Sequence, residues 1–308
     1  SADEQIWGES YKRDYTAANL IGMQEEIARQ VVGVIADQWG LIGRKLSRES
    51  SRKAPADLNA YDGVLRFYHY ETEVTPRAFA GALTAIQRSV EIDPDYGLAW
   101  SMLGHLHADN HALGFRDIEA PLDKALMFAK KGLALAPESQ FAWDAMALVY
   151  FHLGDKESLL KSIEKTVSLN PNSPYIVGVA GWHMALYGEW DRGLELMEKG
   201  MRLNPYHPSW FHLAPFMDYY RRGEFENALV EALKFNYPEL FWDPLLRAAA
   251  LARLGKQDEA SAAINQLLEL VPDFATRGRQ LISSYVKVDN LIDEIVDGLR
   301  DAGLTDLE

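Results

Sequence analysis

Leu169-Asn170-Pro171 returns as Leu203-Asn204-Pro205 after 34 residues, and this recurrence decides the fold. Working outward from it, Leu135-Ala136-Pro137, Phe235-Asn236-Tyr237-Pro238 and Leu270-Val271-Pro272 are variants of the same phrase. Glu91-Ile92-Asp93-Pro94 opens the series. The prolines stand 43, 34, 34, 33 and 34 residues apart. A proline pushes the residue before it out of the α region. Each phrase therefore ends a helix, and the chain turns before the next one begins. An interval of this length holds one pair of helices, and several copies in register stack into an array.

Other positions keep the same register. In the repeat ending at Pro171, Trp143 fills a large slot early in the first helix, Tyr150 follows, Leu153-Gly154 marks the turn and Ile163 packs the second helix. Tyr187-Gly188 and Leu254-Gly255 fall where turns are due in later copies. The repeat ending at Pro137 carries Trp100, Leu103, Gly104 and a small Ala125, with extra residues around Asn110–Ala120 that must bulge or lengthen a helix. In the first hairpin, Tyr61–Tyr70 and Ala78–Ile92 read as its two helices. In the hairpin ending at Pro238, Pro215 should kink or shorten the first helix. The spacing predicts an all-α fold: a right-handed tetratricopeptide-repeat superhelix of about six helical hairpins over residues 58–272. Residues 273–308 supply two capping helices, Arg277–Val286 and Leu291–Ala302, over the last repeat. Residues 1–57 read as a short strand at residues 5–12, an amphipathic helix over Ile21–Leu46 and a polar linker from Ser47 to Asp57.

Composition narrows the function classes. The formal net charge is -14, from 31 basic and 45 acidic residues. Such a chain repels phosphate backbones, so no nucleic-acid partner is expected. The one dense basic run, Arg44, Lys45, Arg48, Arg52 and Lys53, reads as solvated linker. With no cysteine, disulfides, thiolate nucleophiles and cysteine metal sites are excluded. No apolar run is long enough to insert in a membrane. The opening Ser1-Ala2-Asp3-Glu4 reads as the start of a piece of a longer protein, and the lone strand as a remnant of a preceding α/β domain.

Ile6-Trp7-Gly8-Glu9-Ser10-Tyr11-Lys12-Arg13-Asp14 and Met23-Gln24-Glu25-Glu26-Ile27-Ala28 resemble the segment before the repeats in multidomain bacterial signalling proteins. Asn59-Ala60-Tyr61-Asp62, Val90-Glu91-Ile92-Asp93-Pro94-Asp95-Tyr96 and Gly298-Leu299-Arg300-Asp301-Ala302-Gly303-Leu304 extend the likeness. That family joins a class III adenylate/guanylate cyclase or winged-helix DNA-binding effector to a TolB-like region and a tetratricopeptide-repeat tail. The resemblance implies a regulatory tail, cytoplasmic unless a membrane span upstream places it in the periplasm. No cyclase or winged-helix residue is present, so none carries over.

No phosphate-binding glycine loop, HExxH helix or nucleophile elbow occurs. In His105-Leu106-His107-Ala108-Asp109-Asn110-His111 the i,i+4 pairs fall on two faces, which suits a metal poorly. No catalytic residue, metal or cofactor is assigned. First helices of such hairpins line the inner wall. In register with Trp143, the inward positions hold Ser101, His105, Asp109, Asp144, Phe151, His152, Tyr175, Trp182, His212, Phe216, Tyr219 and Trp242. So many aromatics predict a partly exposed groove that binds a peptide or a partner domain, including an N-terminal domain of the same chain. The leading expectation is a non-enzymatic protein–protein interaction and regulatory module. The alternatives are a small-molecule sensor using the same wall, and a homodimer formed through the terminal segments.

Overall fold

The computed structural model describes residues 27, 28, 31–35, 37, 40–53 and 58–307, and among them the ordered elements are helices. The strand expected at residues 5–12 lies outside them. Residues 31–35 are helical, a bend falls at 37 and 40, and α1 runs Leu41–Ser51. The expected linker from Ser47 is therefore helical through Ser51, with Ser47 and Ser50 buried. The basic run lies on and just after this helix. Arg44 stacks on the Tyr206 ring at 4.9 Å, and Lys53 meets Asp62 at 2.7 Å.

Six hairpins follow. They pair α2 (Ala60–Glu73) with α3 (Pro76–Ile92), α4 (Gly97–Leu113) with α5 (Pro121–Leu135), and α6 (Gln140–Leu153) with α7 (Lys156–Leu169). Next come α8 (Pro174–Leu186) with α9 (Trp190–Leu203), α10 (Leu213–Arg221) with α11 (Phe225–Phe235), and α12 (Trp242–Arg253) with α13 (Gln257–Leu270). Two terminal helices, α14 (Phe274–Tyr285) and α15 (Asp289–Asp301), complete the chain.

Local chemistry sets these boundaries. Asn59 and Asp62 form a reciprocal capping box at the start of α2. Thr75 caps α3 with Pro76 in the first turn, where a missing N–H costs nothing. The early tryptophan slot has a structural reason: Trp100 and Trp143 each donate their indole N–H to the carbonyl of the proline six residues back, Pro94 and Pro137, at 2.8 Å. Gly154 and Gly188 adopt φ of 76° and 94°, the left-handed turn that glycine tolerates. The extra residues of the second hairpin do both things expected of them. They extend α4 to 17 residues and add a loop that Asn110 pins by bonding both the N–H and the C=O of Arg116. Pro215 shortens its helix: α10 has nine residues, and a 3-10 turn over Ser209–His212 precedes it.

Helices within a hairpin approach closely where side chains are small. A Cβ on Gly104 would lie 2.7 Å from the Ala129 nitrogen, and one on Gly181 would lie 2.6 Å from the Met197 nitrogen. α15 packs on α12 and α10: Arg253 of α12 pairs with Asp301 at 2.7 Å, and Tyr220 of α10 donates to the Glu294 carbonyl. The end of α14 reaches the inner wall. Tyr285 meets the rings of His152, Trp182 and Trp242, and the Lys287 N–H donates to the Leu186 carbonyl at 2.9 Å. The chain thus folds its own end back onto the inner wall.

Candidate ligand pocket

Closure of the inner wall is visible in its long-range bonds. Tyr175 on α8 donates to Glu71 on α2, 104 residues away. Tyr237 after α11 donates to the Thr72 carbonyl at 3.3 Å, across 165 residues. That carbonyl belongs to the last turn of α2, where no helical N–H remains to satisfy it. Tyr285 enters between α6, α8 and α12.

A cavity of about 90 Å³ is left inside. Tyr70, Glu71 and Val74 form one end, with His105 and Asp109 from α4. Tyr175, Trp182, Trp210, Tyr237, Trp242 and Tyr285 form the aromatic walls. Val74 ends α2 in the left-handed region at φ 46°. A β-branched residue is strained there, and it directs the backbone round the pocket mouth.

The polar end is connected. His105 Nε2 lies 3.4 Å from Glu71 Oε1 and 3.4 Å from Asp109 Oδ2. Tyr70 donates to Asp109 Oδ2 at 2.9 Å. Burial opposes the His105 charge, but Asp109 and Glu71 outweigh it and hold the imidazole well above its usual range. Burial keeps the hydroxyls of Tyr70, Tyr175 and Tyr285 protonated. Asp144 lies beside this group, 1% exposed, with neither oxygen bonded among the described residues. Burial pushes its carboxyl up to about 7, against the pull of His105 and with Glu71 and Asp109 adding to the rise. Burial also lowers His183 to about 3 and His152 well below the usual range, so both imidazoles are neutral. The indole nitrogens of Trp182 and Trp242 and Nδ1 of His105 and His183 are buried without a partner among the described residues.

Of the twelve residues expected on a binding groove, His105, Asp109, Tyr175, Trp182 and Trp242 do meet around the cavity. The others go elsewhere. Ser101 bonds the Gly97 carbonyl in the α4–α5 seam. Phe151 and Phe216 are fully buried against Trp182 and Tyr220. His152 is half-buried, with its ring nitrogens shut in beside the rings of His111 and Tyr285. His212 pairs with Glu231 at 2.6 Å, and Arg222 lies 5.0 Å over Tyr219. The partly exposed aromatic groove that was expected is thus mostly a buried wall, because α14 and the cross-array bonds cover it.

Glu71, Tyr70, His183, Trp210, Tyr237 and Tyr285 complete the pocket without having been expected there. His107 and His111 lie off it, against Phe128 and His152, as their separate helix face requires. One ligand atom each from Glu71, His105 and Asp109 lies within 4.8 Å of the others, a grouping only half visible in the i,i+4 pair of α4.

No family model matches the chain. Among curated proteins it is similar to "Anaphase-promoting complex subunit 3" of Schizosaccharomyces pombe, with 20% identity over 128 residues, 42% of this chain and 18% of that protein. It is also similar to "Cell division cycle protein 27 homolog" of Caenorhabditis elegans, with 26% identity over 97 residues, 32% of this chain and 11% of that protein. The chain therefore spans less than a fifth of these relatives' length. Among solved structures, a tetratricopeptide repeat protein from Parabacteroides merdae aligns over 79% of this chain and 93% of its own, with 14% identity and a TM-score of 0.43. The structure of Naa15/Naa10 bound to HypK-THB aligns over 76% of this chain and 41% of its own, with 15% identity and a TM-score of 0.35.

Proposed function

We propose that this chain is a non-catalytic helical-repeat regulatory module whose interior receives a small molecule. One observation carries the reading: the inner wall narrows to a cavity lined by polar groups and by indole and imidazole nitrogens that have no partner among the described residues. Each such buried group costs about 1–3 kcal/mol unless something bonds it. An apolar cavity with a few converging polar groups is the ordinary form of a ligand site. A peptide laid along the wall would first have to expel Tyr285 from between Trp182 and Trp242.

Protein contact is the second reading, and it moves to the outside of the array. Similarity to a protein named as a subunit of the anaphase-promoting complex favours it. On α11, Val230 and Leu233 stand 49% and 61% exposed and could meet a partner domain. A place in a larger signalling protein, with ligand occupancy relayed to an effector, is consistent with both readings.

Thermal-shift screening of metabolites tests the first reading, with Val179→Trp as the comparison because that change fills the cavity. A ligand at about 100 times its Kd should add about 2.7 kcal/mol of stability to the parent chain and nothing to the variant. No stabilising compound, together with a peptide that binds and is blocked by Trp182→Ala, would replace the pocket by the groove.

A further inference from the structure

We propose that the pocket takes a small organic ammonium, its N–H groups on the Glu71 and Asp109 carboxylates and its carbon frame among the indole and phenol rings. The inference rests on the reading of the interior as a small-molecule pocket and adds the class of the ligand.

The first argument is charge. Glu71, Asp109 and Asp144 are 5%, 8% and 1% exposed, and His105 is the one cationic side chain among them. His152 and His183 are neutral through burial. The Lys287 ammonium is directed away: it donates to the Ser283 carbonyl and lies 5.0 Å over the Phe151 ring. Three carboxyls thus face one imidazolium in a medium that screens poorly. A buried carboxylate without a counter-charge is unstable and either takes a proton or recruits a cation. Asp144 borders this group without lining the cavity, and its unbonded oxygens add to the acidic surroundings.

The walls choose the kind of cation. Tyr175, Trp182, Trp210, Trp242 and Tyr285 are linked by ring contacts at 5.5 to 6.3 Å, so they form one continuous aromatic lining. Ring faces attract ammonium groups, and desolvation strengthens the attraction. A divalent ion finds the opposite. His105 Nδ1 has no partner among the described residues, whereas a metal-bound histidine nearly always donates its second nitrogen. The cavity beyond the carboxylates is aromatic and gives coordinated water little to bond. Its 90 Å³ also exceeds what one ion requires. On the scale of water-sized positions the space holds on the order of six non-hydrogen atoms. The buried indole N–H groups of Trp182 and Trp242 remain for an oxygen acceptor on the same molecule.

The test is titration of the full chain, followed by the indole N–H resonances of Trp182 and Trp242 and by calorimetry. The probes are n-butylammonium, the neutral n-pentanol, the anionic n-butyrate and zinc chloride. The ammonium should bind at least about tenfold more tightly than pentanol, and butyrate should not bind. Glu71→Gln should remove that preference while leaving pentanol unchanged. Tyr175→Phe, which deletes only the hydroxyl that holds Glu71, should weaken it less and keeps the test open if Glu71→Gln does not fold. Equal binding of pentanol or butyrate overturns the ammonium class and leaves the pocket standing. Zinc binding that Glu71→Gln abolishes, with no response to ammonium, overturns it in favour of a metal. No response to any probe overturns both the class and the pocket.

Discussion

α8 and α9 belong to one hairpin and bury opposite amounts of themselves. Every residue of α8, from Pro174 to Leu186, is buried, whereas α9 buries only Gly193, Met197 and Gly200. α9 needs one narrow face against its partner, and its small residues let the backbones approach there. α8 has neighbours on every side: α9 outside, the adjacent hairpins along the array, and Glu71 and Tyr285 on the inside. In an open superhelix that inner side would meet solvent. The contrast shows that this array is closed on itself, and that its inner wall is core as well as candidate site.

The sharpest way to break that contrast is to truncate the inner wall. Phe151 is fully buried among Trp182, His183 and Tyr187. Phe151→Ala should cost about 3–5 kcal/mol in urea unfolding, as core aromatics do. Leu233→Ala, on the outer face of α11, should cost no more than about 0.5 kcal/mol. If Phe151→Ala cost as little as Leu233→Ala, the wall would be an exposed groove and the closure wrong.

A second effect is electrostatic. Asp144, faced by Glu71, His105 and Asp109, ionises near 3.8 when unfolded and at about 7 in the fold. The folded chain therefore holds an extra proton between those values. Its stabilising contribution is complete below about pH 4 and is lost as pH rises to about 7, by up to about 4 kcal/mol. Asp144→Asn should remove this slope. Its unfolding free energy should match the parent's near pH 4 and exceed it by up to about 4 kcal/mol at pH 8. A parallel pH profile for the two proteins would show that Asp144 titrates in the fold as it does in the unfolded chain.

Seam and wall also differ in how readable they are. The prolines fixed the hairpins, and Leu153-Gly154, Tyr187-Gly188 and Leu254-Gly255 fall at turns with left-handed glycines, because helix ends are local events. Five of twelve proposed groove residues meet at the cavity for the same reason: inward positions follow from register. Closure is not local. The Glu71–Tyr175 and Thr72–Tyr237 bonds depend on the summed twist of four or five hairpins, which no single repeat encodes. One signal of that burial is nonetheless local. Pro174–Leu186 has no charged residue and no single apolar stripe, and a helix apolar all round is buried all round.

The seam itself can be tested by one methyl group. A Cβ on Gly181 would strike the Gly193 carbonyl and the Met197 nitrogen, and neither backbone can rotate aside as a side chain can. Gly181→Ala should cost about 1–3 kcal/mol. Gly81 has nothing near its Cβ position and sits inside α3, so Gly81→Ala should stabilise by about 0.5–1 kcal/mol through helix propensity. Equal effects at the two glycines would mean that α8 and α9 are not closely packed.

The smallest expected effect isolates closure alone. Tyr237→Phe keeps the ring in the wall and deletes the hydroxyl that reaches the Thr72 carbonyl. That bond is one of the few links between the first hairpin and the fifth, so its loss should cost about 1 kcal/mol, the usual net worth of a hydrogen bond. The cost should also be unevenly distributed. Opening at this joint frees the end of α2 and the pocket mouth while the α8–α9 seam stays shut. Hydrogen exchange at the Val74 amide, which bonds the Tyr70 carbonyl at 2.7 Å, should then quicken about fivefold. Exchange at the Val177 amide, bonded to the Ser173 carbonyl in α8, should hold its rate. If both amides quickened together, the array would open only by global unfolding, and wall and seam would be one cooperative unit.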